Sequence, residues 1–337
     1  MNQELEPIID AIQGQPVLVI GDMVADIYLD GRISRISREA PVLVLEQVGE
    51  KIVAGGAANV VNNAATLGGN VYAVGLLGND SSARGLKGIL EKNGVHTEGL
   101  LADDDRPTIS KTRIIAGGRA TVSQQIVRID RESKKPMSPA FEAEMLRYIE
   151  VVLPQVRGVV ISDYGAGTVT ETIKNRLINW CREHKIPSIV DSRYAIRRFR
   201  GIGYVKQNDA ELAAAVGREL TSEEDLYAAG RELLADLDAD GVLVTRGEKG
   251  MVLFERDGSA HNIPVSDKSE VFDVSGAGDT CVATVILALA AGVEPAKAAE
   301  LSNIASGIAV RKLGTSTVSD SELRQALYGN FHSEIRR

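Results

Sequence analysis

Short apolar runs alternate with stretches of helical periodicity along most of this 337-residue chain. The runs cover residues 16–20, 71–77, 158–161, 188–190 and 241–245. Between them, apolar side chains spaced for 3.6 residues per turn predict helices over 57–67, 83–92, 140–153, 170–183 and 221–237. A strand that is apolar throughout must be covered on both faces, and the intervening helices are the segments able to cover it. The alternation therefore predicts an α/β fold built on a parallel sheet. Thr221-Ser222-Glu223-Glu224 predicts a capping box at the head of the last helix, with Thr221 and Glu224 as the pair.

Two stretches break this rhythm, and both fall in the first 130 residues. Residues 27–29 and 41–48 read as strands in polar surroundings, and 108–116 and 119–130 flank Gly117-Gly118, a hairpin turn signal. We read them as one small sheet, a lid formed by about 22–50 and 106–131, set over the carboxyl edge of the main strands. Ligands of open α/β sheets bind at that edge. The length sits just above the size at which one hydrophobic core stops growing, which suits a single domain with such an appendage.

Charge and cysteine content narrow the class. The 46 acidic and 38 basic residues leave a net charge of −8, against general nucleic-acid binding, which needs a basic face. Cys181 and Cys281 are the two cysteines, too few for a disulfide framework and suited to a reducing cytoplasm. The acidic N-terminus lacks the order of a signal peptide, and the longest apolar stretch, 281–291, is too short to cross a bilayer. The expected location is the cytoplasm.

Asp273-Val274-Ser275-Gly276-Ala277-Gly278-Asp279-Thr280 precedes an apolar helix. Gly276-Ala277-Gly278 permits a turn that bulky residues forbid, so three amides can point outward with a helix dipole behind them. That is an anion hole, and Asp279 in the first helical turn is placed to accept a proton from an attacking hydroxyl. Alone, the same residues read equally well as a loop and a cap. Gly55-Gly56-Ala57-Ala58-Asn59 opens another helix, where Asn59 offers both a donor and an acceptor to a hydroxylated ligand. Asp22 and Asp26 lie just past the first strand, where carboxylates suit sugar hydroxyls or simply turn formation. Asn208 and Glu211 share one helix face, fit either to hold Mg²⁺ through water or to cap the helix.

Other templates find no match. The sequence has no GK[ST], GxGxxG or GxSxG, and its four histidines stand far apart. Arginine clusters at Arg32/Arg35/Arg38 and Arg193/Arg197/Arg198/Arg200 fit phosphate contacts, although a solvated basic face is the commoner explanation.

Taken in order, these segments resemble the ribokinase-like (PfkB) family of sugar kinases over nearly the whole chain. The 273–280 and 55–59 segments match its C-terminal and N-terminal signatures. Residues 21–46, 162–167, 244–251 and 312–319 resemble in particular the members acting on D-glycero-β-D-manno-heptose 7-phosphate at the C1 hydroxyl. The resemblance implies a three-layer α/β/α sandwich with a β-sheet lid, and ATP and Mg²⁺ as requirements. Asp279 would be the base and Gly276, Ala277 and Gly278 the anion hole. Asp22, Asp26, Gly55, Gly56, Asn59 and Asp163 would contact sugar, with Lys111 and Arg128 on its phosphate or hydroxyls. Asn208 and Glu211 would serve the Mg²⁺–phosphate region, and Thr245, Gly247, Gly250 and Asn303 would lie along the nucleotide. Carbonyls near Asp273, Ser275, Gly314 and Ser316 resemble a monovalent-cation loop favouring K⁺.

Two departures stand out: Ala166 replaces a usual lysine in SDYxKG, and Asp191-Ser192-Arg193 replaces Asp-Pro-Lys. Many such kinases are fused to an adenylyltransferase, whose HxGH motif this sequence lacks, so a stand-alone kinase is expected. The alternatives are another kinase of the family, such as a ribokinase, fructokinase or nucleoside kinase, or a silent sugar- or nucleotide-binding regulator. A lid sheet with open edges predicts a homodimer paired through it.

Overall fold

The computed structural model describes residues 3–117, 123–265, 272–312 and 314–328. Its strands are β1 (Pro16–Gly21), β2 (Met23–Ile36), β3 (Leu43–Gly56), β4 (Asn70–Gly78), β5 (His96–Asp103), β6 (Ile109–Gly117) and β7 (Gln124–Arg131). The series continues with β8 (Gly158–Asp163), β9 (Ser188–Ser192), β10 (Tyr204–Asn208), β11 (Gly241–Thr245), β12 (Met251–Glu255) and β13 (Ala260–Ile263). The helices are α1 (Glu6–Ala11), α2 (Ala57–Thr66), α3 (Ser81–Lys92), α4 (Pro139–Val152), α5 (Glu171–His184), α6 (Asp209–Val216), α7 (Glu223–Leu237), α8 (Ala277–Ala290), α9 (Pro295–Ala309) and α10 (Asp320–Leu327).

A nine-stranded sheet runs β13-β12-β11-β10-β9-β8-β1-β4-β5, parallel from β5 to β11 and antiparallel at β12 and β13. Each strand feeds two cores because its side chains alternate. Val17 and Val19 of β1 join the cluster that includes α2, α8 and α9, while Leu18 and Ile20 join the one under α4, α5 and α7. Each such side chain contributes roughly 1.5–3 kcal/mol by leaving water. Helix α8 is apolar around its whole circumference and is buried from Asp279 to Ala290, as such a pattern demands.

A second, four-stranded sheet runs β3-β2-β6-β7, with β2 and β6 parallel and the outer pairs antiparallel. Strands β2 and β3 are each 14 residues long, well beyond the 27–29 and 41–48 expected, because their polar surroundings mark half-exposed strands rather than strand ends. The Gly117-Gly118 turn falls at the edge of the described residues, so its type lies outside them.

One local expectation is corrected. The capping box of α7 pairs Ser222 with Asp225, one register later than Thr221 with Glu224. The Asp225 carboxylate takes the amides of both Thr221 and Ser222, and its own amide donates to the Ser222 hydroxyl. Among the described residues no helix is long and apolar enough to cross a membrane.

Candidate active site

The carboxyl ends of β1, β8, β9, β10 and β11 line up beneath the N-terminus of α8. In-register pairs end there, Gly21 with Ser162, Asp163 with Ser192, and Asn208 with Thr245. Gly276 caps α8 at φ +83° with no side-chain cap, a backbone region that only glycine enters freely. Any side chain on Gly278 would meet the Lys206 ammonium at 2.5 Å. The Ala277 amide reaches the Val274 carbonyl only at 3.4 Å, and among the described residues the Gly276 and Gly278 amides have no protein partner. The predicted anion hole is therefore open, with the positive end of a buried helix behind it.

Asp279 stands in the first turn of that helix, 6% exposed. Asn59 Nδ2 donates to its Oδ2 at 2.7 Å, and the Tyr164 hydroxyl donates to its Oδ1 at 3.2 Å. Burial raises its pKa to about 7, and repulsion from Asp191 adds to this against the Asn59 bond, the Lys206 charge and the Tyr164 bond. A carboxyl poised there titrates in the range a general base needs. Lys206 is itself 5% exposed, with Nζ 3.1 Å from Asp191 Oδ2. Burial alone would lower its pKa, but the Asp191 and Glu211 carboxylates outweigh that and hold the ammonium above its ordinary value.

Two adjoining cavities meet at this point. One of about 270 Å³ is lined by Asp163, Tyr164, Asp191, Glu211, Gly276 and Asp279, among others. The other, of about 790 Å³, runs past Thr245, Gly247, Gly250 and Asn303, and Lys206, Asn208 and Gly278 line both. Asn303 Nδ2 donates to the Pro264 carbonyl at 2.7 Å, and Thr245 Oγ1 points back to the Gln207 carbonyl at 3.4 Å. The larger cavity has the size and the glycine-rich wall of a nucleotide site.

Several candidates are engaged in holding the site together. Asp22 is fully buried, and its carboxylate accepts the amides of Tyr164, Ala166 and Thr168 at 2.9, 3.0 and 3.1 Å. Fully buried and holding three charge-assisted bonds, it braces the loop after β8. Asp163 does the same, taking the Ser192 hydroxyl and the Gly165 amide, and burial raises its pKa. Asn59 is engaged at both ends, since its Oδ1 accepts from Asn63. Asn208 and Glu211 form a full capping box on α6, yet both still line the smaller cavity. Arg128 lies on the small sheet, about half exposed, and chelates Asp130 at 2.8 and 2.9 Å.

Other candidates come together in the structure. Asp26 is 3% exposed, Gly55 lies against its carboxylate with no room for a side chain between them, and Gly56 caps α2. Lys111 Nζ sits 5.7 Å from the centre of the Tyr164 ring. Asp273 accepts the amides of Ser275 and Gly314 at 2.8 and 3.1 Å, tying together the two loops expected around a monovalent cation, with Ser316 two residues on. Ala166 contributes only its amide, and Arg193 is exposed at the rim of the smaller cavity.

Reading the sequence missed Tyr164, Lys206 and Arg113. Arg113 Nη1 donates to Asp26 Oδ1 at 2.6 Å. Its signal was present, since Lys111-Thr112-Arg113 puts two cations on one strand face. Lys206 was signalled by a lone charge inside an otherwise buried strand, which requires a partner.

A family model described as pfkB family carbohydrate kinase matches residues 15–322. The bifunctional protein HldE of Geobacter metallireducens is 43% identical over 307 residues, 91% of this chain and 61% of that protein. HldE of Citrifermentans bemidjiense is 40% identical over 323 residues, 96% of this chain and 65% of its own. The chain thus spans less than two thirds of the length of these curated relatives. Arabidopsis thaliana ribokinase complexed with ribose and ATP superposes with a TM-score of 0.72 at 19% identity, over 94% of this chain and 99% of that one. Phosphofructokinase-2 from Escherichia coli in complex with potassium gives 0.70 at 20% identity, over the same shares. At such identities these two structures speak for the fold.

Proposed function

This chain belongs to the pfkB family of carbohydrate kinases, and from that premise we propose that it phosphorylates D-glycero-β-D-manno-heptose 7-phosphate at the C1 hydroxyl, with ATP as donor. The carrying observation is the buried Asp279 carboxylate beside open amides at the head of α8, where the two cavities meet. Asp279 takes the proton of the sugar hydroxyl, and the Gly276–Gly278 amides stabilise negative charge on the transferring group. Placement of the two substrates supplies much of the acceleration.

The heptose 7-phosphate reading rests on the four resemblance segments and on the charge of the small sheet. Register pairs Asp26 with Lys111 and Tyr28 with Arg113 across β2 and β6, and Arg113 with Arg128 across β6 and β7. Residues paired directly share a face, so three cations share that face with Asp26 and with Asp130, which stands opposite Lys111. That arrangement suits a sugar bearing its own phosphate. The product would feed assembly of lipopolysaccharide core heptose, in the cytoplasm, where the buried free Cys181 and Cys281 stay reduced.

Asn208 and Glu211 fit Mg²⁺ only through its waters. Their capping box uses Asn208 Oδ1 and one Glu211 oxygen, leaving the second Glu211 oxygen to receive a water. When bound, the ion neutralises charge on the nucleotide phosphates. The loops joined by Asp273 fit K⁺ through backbone carbonyls near Ser275, Gly314 and Ser316, the carboxylate itself being spent on amides.

The opposite face of the small sheet exposes Val127 and Ile129, at 46% and 51%, and its far end exposes Ile36 and Val48. It would pair two copies into a homodimer, and light scattering giving a monomer mass at micromolar concentration would remove that assembly. An acceptor panel with ATP tests the substrate. Heptose 7-phosphate should be turned over in preference to free pentoses and hexoses, whereas preference for ribose or fructose would overturn the assignment.

A further inference from the structure

Tyr164 touches the base and lies against a lysine of the cation-bearing sheet, and no role has yet been given to it. Its hydroxyl donates to Asp279 Oδ1, while the Lys111 ammonium of β6 lies over its ring at 5.7 Å from the centroid. Its backbone is pinned, because Asp22 accepts its amide together with those of Ala166 and Thr168. The loop is thus braced from beneath by a buried carboxylate, and its one long side chain reaches the reacting group.

We propose that Tyr164 is a positioning residue that fixes the orientation of the Asp279 carboxylate toward the acceptor hydroxyl and couples it, through its ring and Lys111, to the small sheet. This inference rests on Asp279 serving as the base. Asn59 secures one oxygen at 2.7 Å, and the longer phenol bond secures the other, so the carboxylate cannot rotate about its Cβ–Cγ bond without losing a donor. A donor to the charged form also favours that form, opposing the burial that raises it. Charged groups that also face the pair are Asp191 of β9, Lys206 of β10 and Glu211 of α6, with Lys111 above the ring.

Tyr164→Phe leaves all of these in place and removes only the hydroxyl. With a sugar that the wild type phosphorylates, kcat should fall about tenfold, while KM for ATP changes little. The acidic limb of the pH–rate profile should move up by about half a pH unit. A readout without turnover accompanies this. The Tm gap between wild type and Tyr164→Phe should widen as pH rises from 5 to 8, because the ionised carboxylate misses the donor more than the neutral acid does. A gap that stays flat across that range, or unchanged kcat with an unmoved limb, overturns the proposal. Should no acceptor be phosphorylated, the kinase assignment falls, and the Tm series still decides for or against the Tyr164–Asp279 bond.

Discussion

The carboxyl edge of the nine-stranded sheet and the cationic face of the four-stranded sheet hold their charges in opposite ways. At the edge, Asp22, Asp163 and Asp279 are nearly or fully buried, and each carboxylate has two or more fixed donors. On the small sheet, Arg128 and Asp130 are 49% and 42% exposed at the side chain and pair mainly with each other. Arg113 with Asp26 lies between these extremes, at 18% and 5%. Chemistry that depends on sub-ångström placement is built where groups cannot move. On the proposed function, recognition of a charged substrate falls to groups able to exchange one partner for another.

The contrast breaks most visibly at Asp279. Asp279→Asn should lower kcat about 10³-fold or more in a steady-state assay, with KM for the sugar nearly unchanged. A small kcat effect would show that the rigid edge is only structural. Asp22→Ala leaves three amides, that of Thr168 buried, without their acceptor and should cost about 3 kcal/mol of stability in denaturant unfolding. A loss below about 0.5 kcal/mol would mean that the brace is unnecessary.

The pH dependence follows from the base. As the proposed base, Asp279 has to be ionised to act, so kcat/KM should rise with pH and level off near 7, lying about a hundredfold lower at pH 5. Stability runs the other way. A carboxyl whose folded-state pKa is raised to about 7 from 3.8 binds its proton more tightly when folded, so its contribution is full below about pH 4 and is lost as pH climbs through 7. A pH–rate profile flat between 5 and 7 would contradict the assignment.

The small sheet gives the smaller effects. Arg113→Met should raise the KM of a phosphorylated sugar about tenfold or more, because it also leaves Asp26 buried and unpaired. Arg128→Ala should raise it only a few-fold with Tm unchanged, since exposed pairs contribute about 0–1 kcal/mol. Equal effects from the two substitutions would erase the gradient of rigidity between the sheets.

Much of the edge was legible from residue types alone. Apolar runs located β1, β4, β8, β9 and β11, and the glycine pair before an apolar helix located the head of α8. Asp279, Gly276 and Gly278 stand where that pattern put them. The roles of Asp22 and Asn59 were not legible. A carboxylate binding a sugar and one binding three amides of a distant loop look alike in sequence, and the partners at 164–168 lie some 140 positions away. Lys206 hid for a similar reason, its acceptor Asp191 being on the neighbouring strand. The edge strands β5 and β13 escaped because half-exposed strands dilute the apolar signal, whereas β12, apolar and buried from Met251 to Phe254, carried that signal and was passed over.

Helix α8 is sealed from water along all but its first residues, so once substrates fill the cavities at its head, mobile ions cannot gather around the field it projects. Within the reach of that field, screening is set by protein rather than by buffer. Raising ionic strength should therefore leave the chemical step nearly unaffected while weakening capture of an anionic sugar by Lys111, Arg113 and Arg128. In a salt titration kcat would hold steady as KM climbs, separating the contributions of the two sheets without altering a residue.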